Sequence, residues 1–145
     1  MSESKSQSPP DNRGIAPTEL PFVSVVMPVR NEAAFIGRSV GSVLAQDYPS
    51  ERMEVLVADG LSQDATTEVL RSLQQTNSNL RVIENPGKIV ATGLNATLRQ
   101  ARGEVIVRVD GHCEVASRLP CTRCSPCSKF CCRTRWPTAV LLAGT

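Results

Sequence analysis

Residues 104–112 read EVIVRVDGH, an apolar run that ends in a carboxylate and an imidazole. The β-branched residues of this run predict a buried strand. Asp110 and His112 then stand at the carboxyl end of that strand, which is where open α/β sheets bind their ligands. Both side chains can hold a divalent cation, and a mixed oxygen and nitrogen pair suits Mn²⁺ somewhat better than Mg²⁺. The stretch therefore predicts one strand of an α/β sheet that ends in two candidate metal ligands, Asp110 and His112, which we call the metal corner.

Three further strand patterns precede this one along the chain, and helical patterns separate them. Apolar runs predict strands at 22–29, 54–58 and 80–83. The spacing of apolar residues predicts helices at 33–46, 62–73 and 89–101. Ser62 is the predicted N-cap of the second helix, and the third is predicted to face inward with Leu94, Leu98 and Ala101. This alternation predicts an α/β fold with a mainly parallel sheet flanked by helices.

Four polar loops are predicted to share one edge of this sheet, because right-handed crossovers bring the carboxyl ends of parallel strands together. They are residues 28–32, 59–64, 85–88 and 110–112. Asp59 with Asp110 and His112 suits a nucleotide-sugar site, since a carboxylate can bind base or ribose and a cation can bind the diphosphate. Each aspartate alone is better explained as the end of a strand, because Asp-Gly turns are common. Together on one edge they favour a functional site.

Composition excludes several classes of function. The chain has 145 residues, 41% of them hydrophobic, and a net charge of +2, which fits one soluble domain or part of one. Aromatic residues make up 3%, so a stacking platform is not expected and neither is a nucleic-acid partner. No apolar stretch approaches the roughly 20 residues of a membrane span, and a cytoplasmic protein, including one at the inner face of the membrane, is expected. Residues 1–21 are rich in Ser, Pro and charge and are predicted to be a disordered tail.

The order and spacing of six motifs resemble the N-terminal portion of an inverting family 2 glycosyltransferase with the GT-A fold. The resemblance covers residues 22–115 and rests on SVVMPVRNE at 24–32, VADGLSQD at 57–64, NP at 85–86, GLN at 93–95, ARGE at 101–104 and RVDGH at 108–112. The Asp-Gly-His ending is most similar to bacterial exopolysaccharide enzymes of the succinoglycan type. The implied domain is a Rossmann-like GT-A half that binds a nucleotide-diphosphate sugar.

The resemblance also implies ligands and site residues. The donor is a nucleotide-diphosphate sugar, with a UDP-sugar favoured, and the acceptor is a saccharide or lipid-linked saccharide in polysaccharide biosynthesis. The implied cofactor is a divalent cation, Mn²⁺ or Mg²⁺, held by Asp110 and His112 in place of the family's Asp-x-Asp motif. The implied nucleotide-binding residues are Pro28, Asn31, Glu32, Asp59, Asp64, Lys88 and Asp110. A solvated loop lysine explains Lys88 equally well, and Arg108 either pairs with an acid beside the site or is a surface charge.

The segment 116–145 changes character, with no acid, many cysteines and no helix or strand period before the short run 139–143. Cysteines 121, 124, 127 and 131 have the spacing of a ferredoxin-type Fe–S motif, and Zn²⁺ held with His112 and Cys113 is a second interpretation. The favoured interpretation is a segment outside the domain, from truncated or out-of-frame coding sequence. No catalytic base of the family is found, so the alternative function is an inactive nucleotide-sugar-binding fragment.

Overall fold

The computed structural model describes residues 20–115 and 142–143. The predicted disordered tail, apart from residues 20–21, and the cysteine-rich motif lie outside the described residues. The elements are β1 (Val23–Val29), α1 (Ile36–Leu44), a 3₁₀ turn (Ser50–Arg52), β2 (Met53–Asp59), α2 (Thr66–Thr76), β3 (Leu80–Glu84), α3 (Val90–Gln100), β4 (Val105–Arg108) and β5 (Leu142–Ala143). None of the helices in this part of the chain is long and apolar enough to cross a membrane.

The strands form one sheet in the order β3-β2-β1-β4-β5, and the first four are parallel. The predicted parallel α/β sheet is therefore confirmed. β5 pairs antiparallel with β4 at the edge of the sheet. The chain builds outward from β1 through β2 to β3 and then returns to the other side of β1 with β4. This reversal places a topological switch point between β1 and β4, where open α/β sheets form their ligand crevice.

Both faces of the sheet are covered, which explains why β1 and β2 are buried along their whole length. Alternate β1 residues such as Val25 and Met27 join one cluster with Ile36 and Val40 of α1 and Leu70 of α2. The opposite face of β1 and β2 contacts α3. Each fully buried aliphatic side chain contributes about 2 kcal/mol, so this cluster is the main source of stability.

Two predicted helix starts are wrong, and in both cases loop hydrogen bonds decide the outcome. α1 begins at Ile36 rather than at residue 33, because a turn precedes it in which the amides of Phe35 and Ile36 donate to the carbonyl of Glu32. α2 begins at Thr66, and Ser62 is not its N-cap. The Ser62 hydroxyl instead donates to the carboxylate that ends β2.

The predicted inward face of α3 is also wrong at Leu98, a residue that is 39% exposed. The buried residues of this helix are Gly93 and Thr97, which lie one turn apart. A Cβ on Gly93 would stand 3.3 Å from the Cβ of Pro28 and 3.4 Å from the Cβ of Ala58. Because α3 approaches β1 and β2 so closely, small residues rather than leucines face the strands.

A buried carboxylate ties β1, β2 and the segment entering β4 together at the amino end of the sheet. Glu54 of β2 is 3% exposed at its side chain, and its Oε1 accepts hydrogen bonds from Ser24 Oγ at 2.6 Å and from the Arg102 amide at 2.7 Å. The Gly103 amide donates to the same Ser24 hydroxyl at 2.8 Å. Burial acts to raise the pKa of the Glu54 carboxyl, but the hydrogen bonds from Ser24 and Arg102 outweigh it and hold that pKa below its usual range.

Candidate functional site

A polar cleft of about 260 Å³ opens at the switch point, between the loops that follow β1, β3 and β4. Five residues predicted from the sequence line it: Pro28, Glu32, Lys88, Asp110 and His112. Arg108 lines it as well. Asn31, Asp59 and Asp64 are not in this lining: Asp59 ends β2, and the other two lie in the adjoining loops after β1 and β2. The structure therefore brings the predicted metal corner and a lysine into one cleft and places three predicted nucleotide contacts beside it.

The carboxylate of Asp110 is paired with the last residue of β4. Arg108 donates to Asp110 Oδ1 from Nη2 at 2.9 Å and from Nε at 3.2 Å. Of the two alternatives for Arg108, the structure therefore shows pairing with an acid at the cleft. Two guanidinium nitrogens on one carboxylate oxygen form a charge-assisted contact that is stronger than a neutral hydrogen bond.

The imidazole of His112 lies against the loop after β1. Its Nδ1 is 3.4 Å from Glu32 Oε1, and the pair is ionic only when the imidazole is protonated. Gly111 permits this approach, because a Cβ at that position would stand 2.8 Å from Val29 Cγ1 and 3.3 Å from Glu32 Cγ. The absence of a side chain between Asp110 and His112 is therefore a steric requirement of this contact.

These residues fit a cation whose coordination shell is completed by water and by the phosphates of a substrate. Within residues 20–115 and 142–143, no three His, Cys, Asp or Glu side chains are grouped to hold a metal ion by themselves. The corner offers a carboxylate oxygen from Asp110 and a nitrogen from His112, with Glu32 beside them. Mg²⁺ and Mn²⁺ are commonly held by one or two protein ligands together with water and substrate phosphates, which suits such an open corner.

The carboxylate of Asp59 is turned toward its own loop. Asp59 is 6% exposed, and its Oδ1 accepts from the hydroxyl of Ser62 at 2.5 Å and from the Ser62 amide at 3.1 Å. Its Oδ2 accepts from Thr67 Oγ1 at 2.8 Å. Both oxygens thus fix the path of the chain between β2 and α2, and a nucleotide would meet a preformed loop here.

A network of hydrogen bonds joins the loop after β1 to the loop after β2. Asn31 donates its amide to Ser62 Oγ at 2.9 Å, and Asn31 Oδ1 accepts from the Gln63 amide at 2.8 Å. Asp64 Oδ2 accepts from the Ala33 amide at 3.1 Å. The hydroxyl of Thr66 on the other oxygen is the largest cause that lowers the pKa of the exposed Asp64 carboxyl. Asn31 and Asp64 therefore hold two loops of the site against one another.

Each of the three loops that follow β1, β2 and β3 contains one non-glycine residue with a left-handed backbone. The φ angles are 53° at Asn31, 54° at Leu61 and 60° at Lys88. Such conformations cost about 1 kcal/mol or more each, and they persist where surrounding contacts impose them. The contacts of Asn31 with the β2 loop and the bond from the Lys88 amide to the Asn85 carbonyl, at 3.1 Å, are of this kind. These contacts hold the loops after β1 and β3 in their left-handed turns.

Sequence reasoning missed the hydroxyl groups that support these loops. Thr66 is fully buried, and its Oγ1 accepts from the Glu32 amide at 2.9 Å and donates to Asp64 Oδ1. Thr67 holds Asp59. The available signal was local: Ser and Thr close to an aspartate form side-chain hydrogen bonds that compete with helical structure. That competition also accounts for the later start of α2.

Thr66→Val is expected to lower the free energy of unfolding by about 1–2 kcal/mol and to weaken nucleotide binding. The reason is that valine keeps the shape but leaves the Glu32 amide without its acceptor and Asp64 without its hydroxyl donor. Urea unfolding measures the first effect and calorimetry with UDP the second. Thr76→Val, at the exposed end of α2, is the matched control. A loss of stability no larger than in that control would contradict the role given to Thr66.

Comparison with known proteins finds glycosyltransferases as relatives of the chain. The family model described as "Glycosyl transferase family 2" matches residues 24–120. The chain is 39% identical over 97 residues to "Glycosyltransferase AglE" of Haloferax volcanii, covering 65% of this chain and 31% of that protein. It is 33% identical over 105 residues to "Beta-monoglucosyldiacylglycerol synthase" of Trichormus variabilis, covering 69% of this chain and 22% of the other.

Solved structures give the same picture. The mannosyltransferase PcManGT from Pyrobaculum calidifontis, in complex with GDP-Man and Mn²⁺, matches with a TM-score of 0.61 and 34% identity, over 72% of this chain and 31% of that one. TarS 1–349 of S. aureus in complex with UDP-GlcNAc matches with a TM-score of 0.54 and 31% identity, over 62% and 26%. The chain thus spans about a third or less of the length of these relatives.

Proposed function

The chain belongs to glycosyl transferase family 2, and from that premise we propose that it is the donor-binding portion of an inverting enzyme that uses a nucleotide-diphosphate sugar. The predicted GT-A type of α/β fold is confirmed by the parallel sheet and by its solved relatives. The observation that carries the proposal is the convergence of Asp110 and His112 with three cationic residues, Arg30, Lys88 and Arg108, on one cleft at the switch point. A diphosphate needs positive charge around it, and this cleft supplies it.

The chemistry proposed for this cleft is stabilisation of a leaving group. An acceptor hydroxyl oxygen attacks the anomeric carbon while its proton passes to a general base, the bond from that carbon to the diphosphate oxygen breaks, and the electron pair stays on the diphosphate. A bound cation would neutralise part of the charge that develops there. Asp110 and His112 are the residues that would hold the cation. Lys88 and Arg108 lie where they could pair with phosphate oxygens, and the loops after β1 and β2 would receive the nucleoside.

The finer specificity is part of the proposal. Relatives contain GDP-Man, UDP or UDP-GlcNAc, which supports a nucleotide-sugar donor, and we favour a UDP-sugar. The Asp-Gly-His ending at 110–112 supports a role in bacterial exopolysaccharide synthesis of the succinoglycan type, with a saccharide or lipid-linked saccharide as acceptor. The proposed compartment is the cytoplasm, including the inner face of the membrane.

Calorimetry with UDP-sugars and Mn²⁺ tests the proposal. The wild-type chain is expected to bind, and Asp110→Ala is expected to weaken binding at least about tenfold, which corresponds to about 1.4 kcal/mol. Asp47→Ala is the matched control, because Asp47 is an exposed aspartate in the loop after α1. Absence of binding by the wild type, or binding that is unchanged by Asp110→Ala, would refute the proposal. A sugar-transfer assay on the same chain separates an active enzyme from a fragment that only binds its donor.

A further inference from the structure

The pair between Arg108 and Asp110 is placed to interfere with the cation. Both guanidinium contacts fall on the same oxygen, Oδ1, at 2.9 and 3.2 Å. The side chains are only 31% and 16% exposed, so the pair is partly withdrawn from water. Partial burial strengthens the attraction between such charges compared with an exposed pair. The carboxylate that a cation would use is therefore already neutralised.

The second candidate ligand, His112, is engaged through one ring nitrogen, which leaves Nε2 as the nitrogen that would meet a cation. His112 Nδ1 lies 3.4 Å from Glu32 Oε1, so the imidazole already contacts the loop after β1. A cation arriving alone at Asp110 would meet the positive charge of the Arg108 guanidinium on the same carboxylate, and two positive groups so close together repel each other. In the described part of the chain, no group of three or more His, Cys, Asp or Glu side chains is present to bind the cation by itself.

A diphosphate changes this balance. Its oxygens accept paired hydrogen bonds from a guanidinium as well as a carboxylate does, so Arg108 gains a new partner in the same cleft. Asp110 is then free for the cation, which the diphosphate also ligates. The diphosphate thus draws Arg108 away from Asp110, and the cation takes the place of Arg108 on that carboxylate.

We propose that Arg108 is a positioning residue that closes Asp110 to a free cation and releases it to a nucleoside diphosphate. This inference rests on the proposed function. Cation and nucleotide then bind with positive coupling, and the coupling is reciprocal: UDP raises the affinity for Mn²⁺ by the same factor as Mn²⁺ raises the affinity for UDP. Arg108 is the source of that coupling on the protein side, in addition to any direct contact between Mn²⁺ and the phosphates.

The test is a titration of MnCl₂ alone, without nucleotide, into wild type and Arg108→Met, followed by calorimetry or by the electron paramagnetic resonance of free Mn²⁺. Methionine keeps the apolar stem and removes the charge. Arg108→Met is expected to bind Mn²⁺ about fivefold more tightly than wild type, as removal of a competing pair of moderate strength allows. The increase in Mn²⁺ affinity caused by UDP is expected to be smaller in the variant. A gain in affinity is a result that damage to the fold would not produce.

Two further variants complete the design. Arg38→Met removes an arginine from an exposed pair with Glu114, where the side chains are 67% and 59% exposed, and is expected to leave the Mn²⁺ affinity unchanged. Arg108→Gln replaces Arg108→Met if the latter fails to fold, and the same gain is expected.

The outcomes separate this inference from the proposed function. Mn²⁺ affinity that is not raised in a folded Arg108 variant overturns the inference, whether or not UDP binds. If the wild type then still binds UDP in the presence of Mn²⁺, the proposed function stands without it. A raised affinity together with a complete absence of UDP binding supports competition at Asp110 and refutes the proposed function.

Discussion

Glu54→Ala is expected to lower the free energy of unfolding by about 3 kcal/mol, an effect of the size found when one partner of a buried charged network is removed. The truncation leaves the Ser24 hydroxyl and the Arg102 amide without the acceptor that they share. It also removes the partner of the Arg102 guanidinium, which lies 3.1 Å from Glu54 Oε2. Urea unfolding followed by circular dichroism measures the loss.

The matched control is Glu84→Ala, at the exposed carboxyl end of β3. It removes a glutamate from the neighbouring strand of the same sheet and is expected to change the free energy of unfolding by no more than about 0.5 kcal/mol, as surface substitutions usually do. Equal losses in the two variants would mean that the buried carboxylate contributes no more than a surface charge.

The same network gives stability a pH dependence. Because the pKa of Glu54 is lower in the folded protein than in the unfolded chain, its contribution is fully present above the unfolded pKa of about 4.3 and is lost as the pH falls through the lower folded value. The difference in unfolding free energy between wild type and Glu54→Gln should therefore shrink as the pH is lowered from 7 to 3. A difference that is constant over this range would contradict the lowered pKa.

The sheet could be predicted from the sequence because its central strands are buried on both faces. Unbroken apolar runs such as those of β1 and β2 are typical of strands in a covered parallel sheet, and their alternation with helical patterns favours parallel pairing. The face of α3 could not be predicted in this way. Which residues point inward there depends on how closely the helix lies to Pro28 and Ala58, and that distance is a tertiary property. Apolar spacing alone therefore selected Leu98 in place of Thr97.

The candidate site, too, could be predicted from the sequence only in part. Topology alone placed Glu32, Asp110 and His112 at one edge, because parallel strands must end together. The hydrogen-bond network between the β1 and β2 loops could not be predicted from the sequence. It joins residues more than 30 positions apart, and it depends on left-handed turns at Asn31 and Leu61. Sequence patterns identify which residues reach the edge. They do not show that most of these residues are already hydrogen-bonded to neighbours in the same or an adjoining loop.

Gly103→Ala is expected to lower the free energy of unfolding by about 3 kcal/mol, at the upper end of the usual cost of overpacking. A Cβ at this position would lie 2.5 Å from the Ser24 amide nitrogen, 2.6 Å from Ser24 Oγ and 2.9 Å from the Val105 carbonyl oxygen. Two of these atoms belong to the backbone of paired strands and cannot turn aside. The chain would have to move β4 away from β1, and the hydrogen bond from the Gly103 amide to Ser24 would be lost.

The consequence should reach the cleft, because β4 leads directly to Asp110 and its register is set against β1, with Val23 opposite Val105 and Val26 opposite Arg108. We therefore expect weaker binding of UDP with Mn²⁺ in Gly103→Ala even where the protein remains folded. Gly41→Ala is the matched control: a Cβ there meets nothing within 4 Å, and alanine in α1 should stabilise the helix by up to about 1 kcal/mol. If Gly103→Ala unfolds at the same urea concentration as wild type, then β4 is not held against β1 by this contact, and the position of Asp110 must depend on the loops alone.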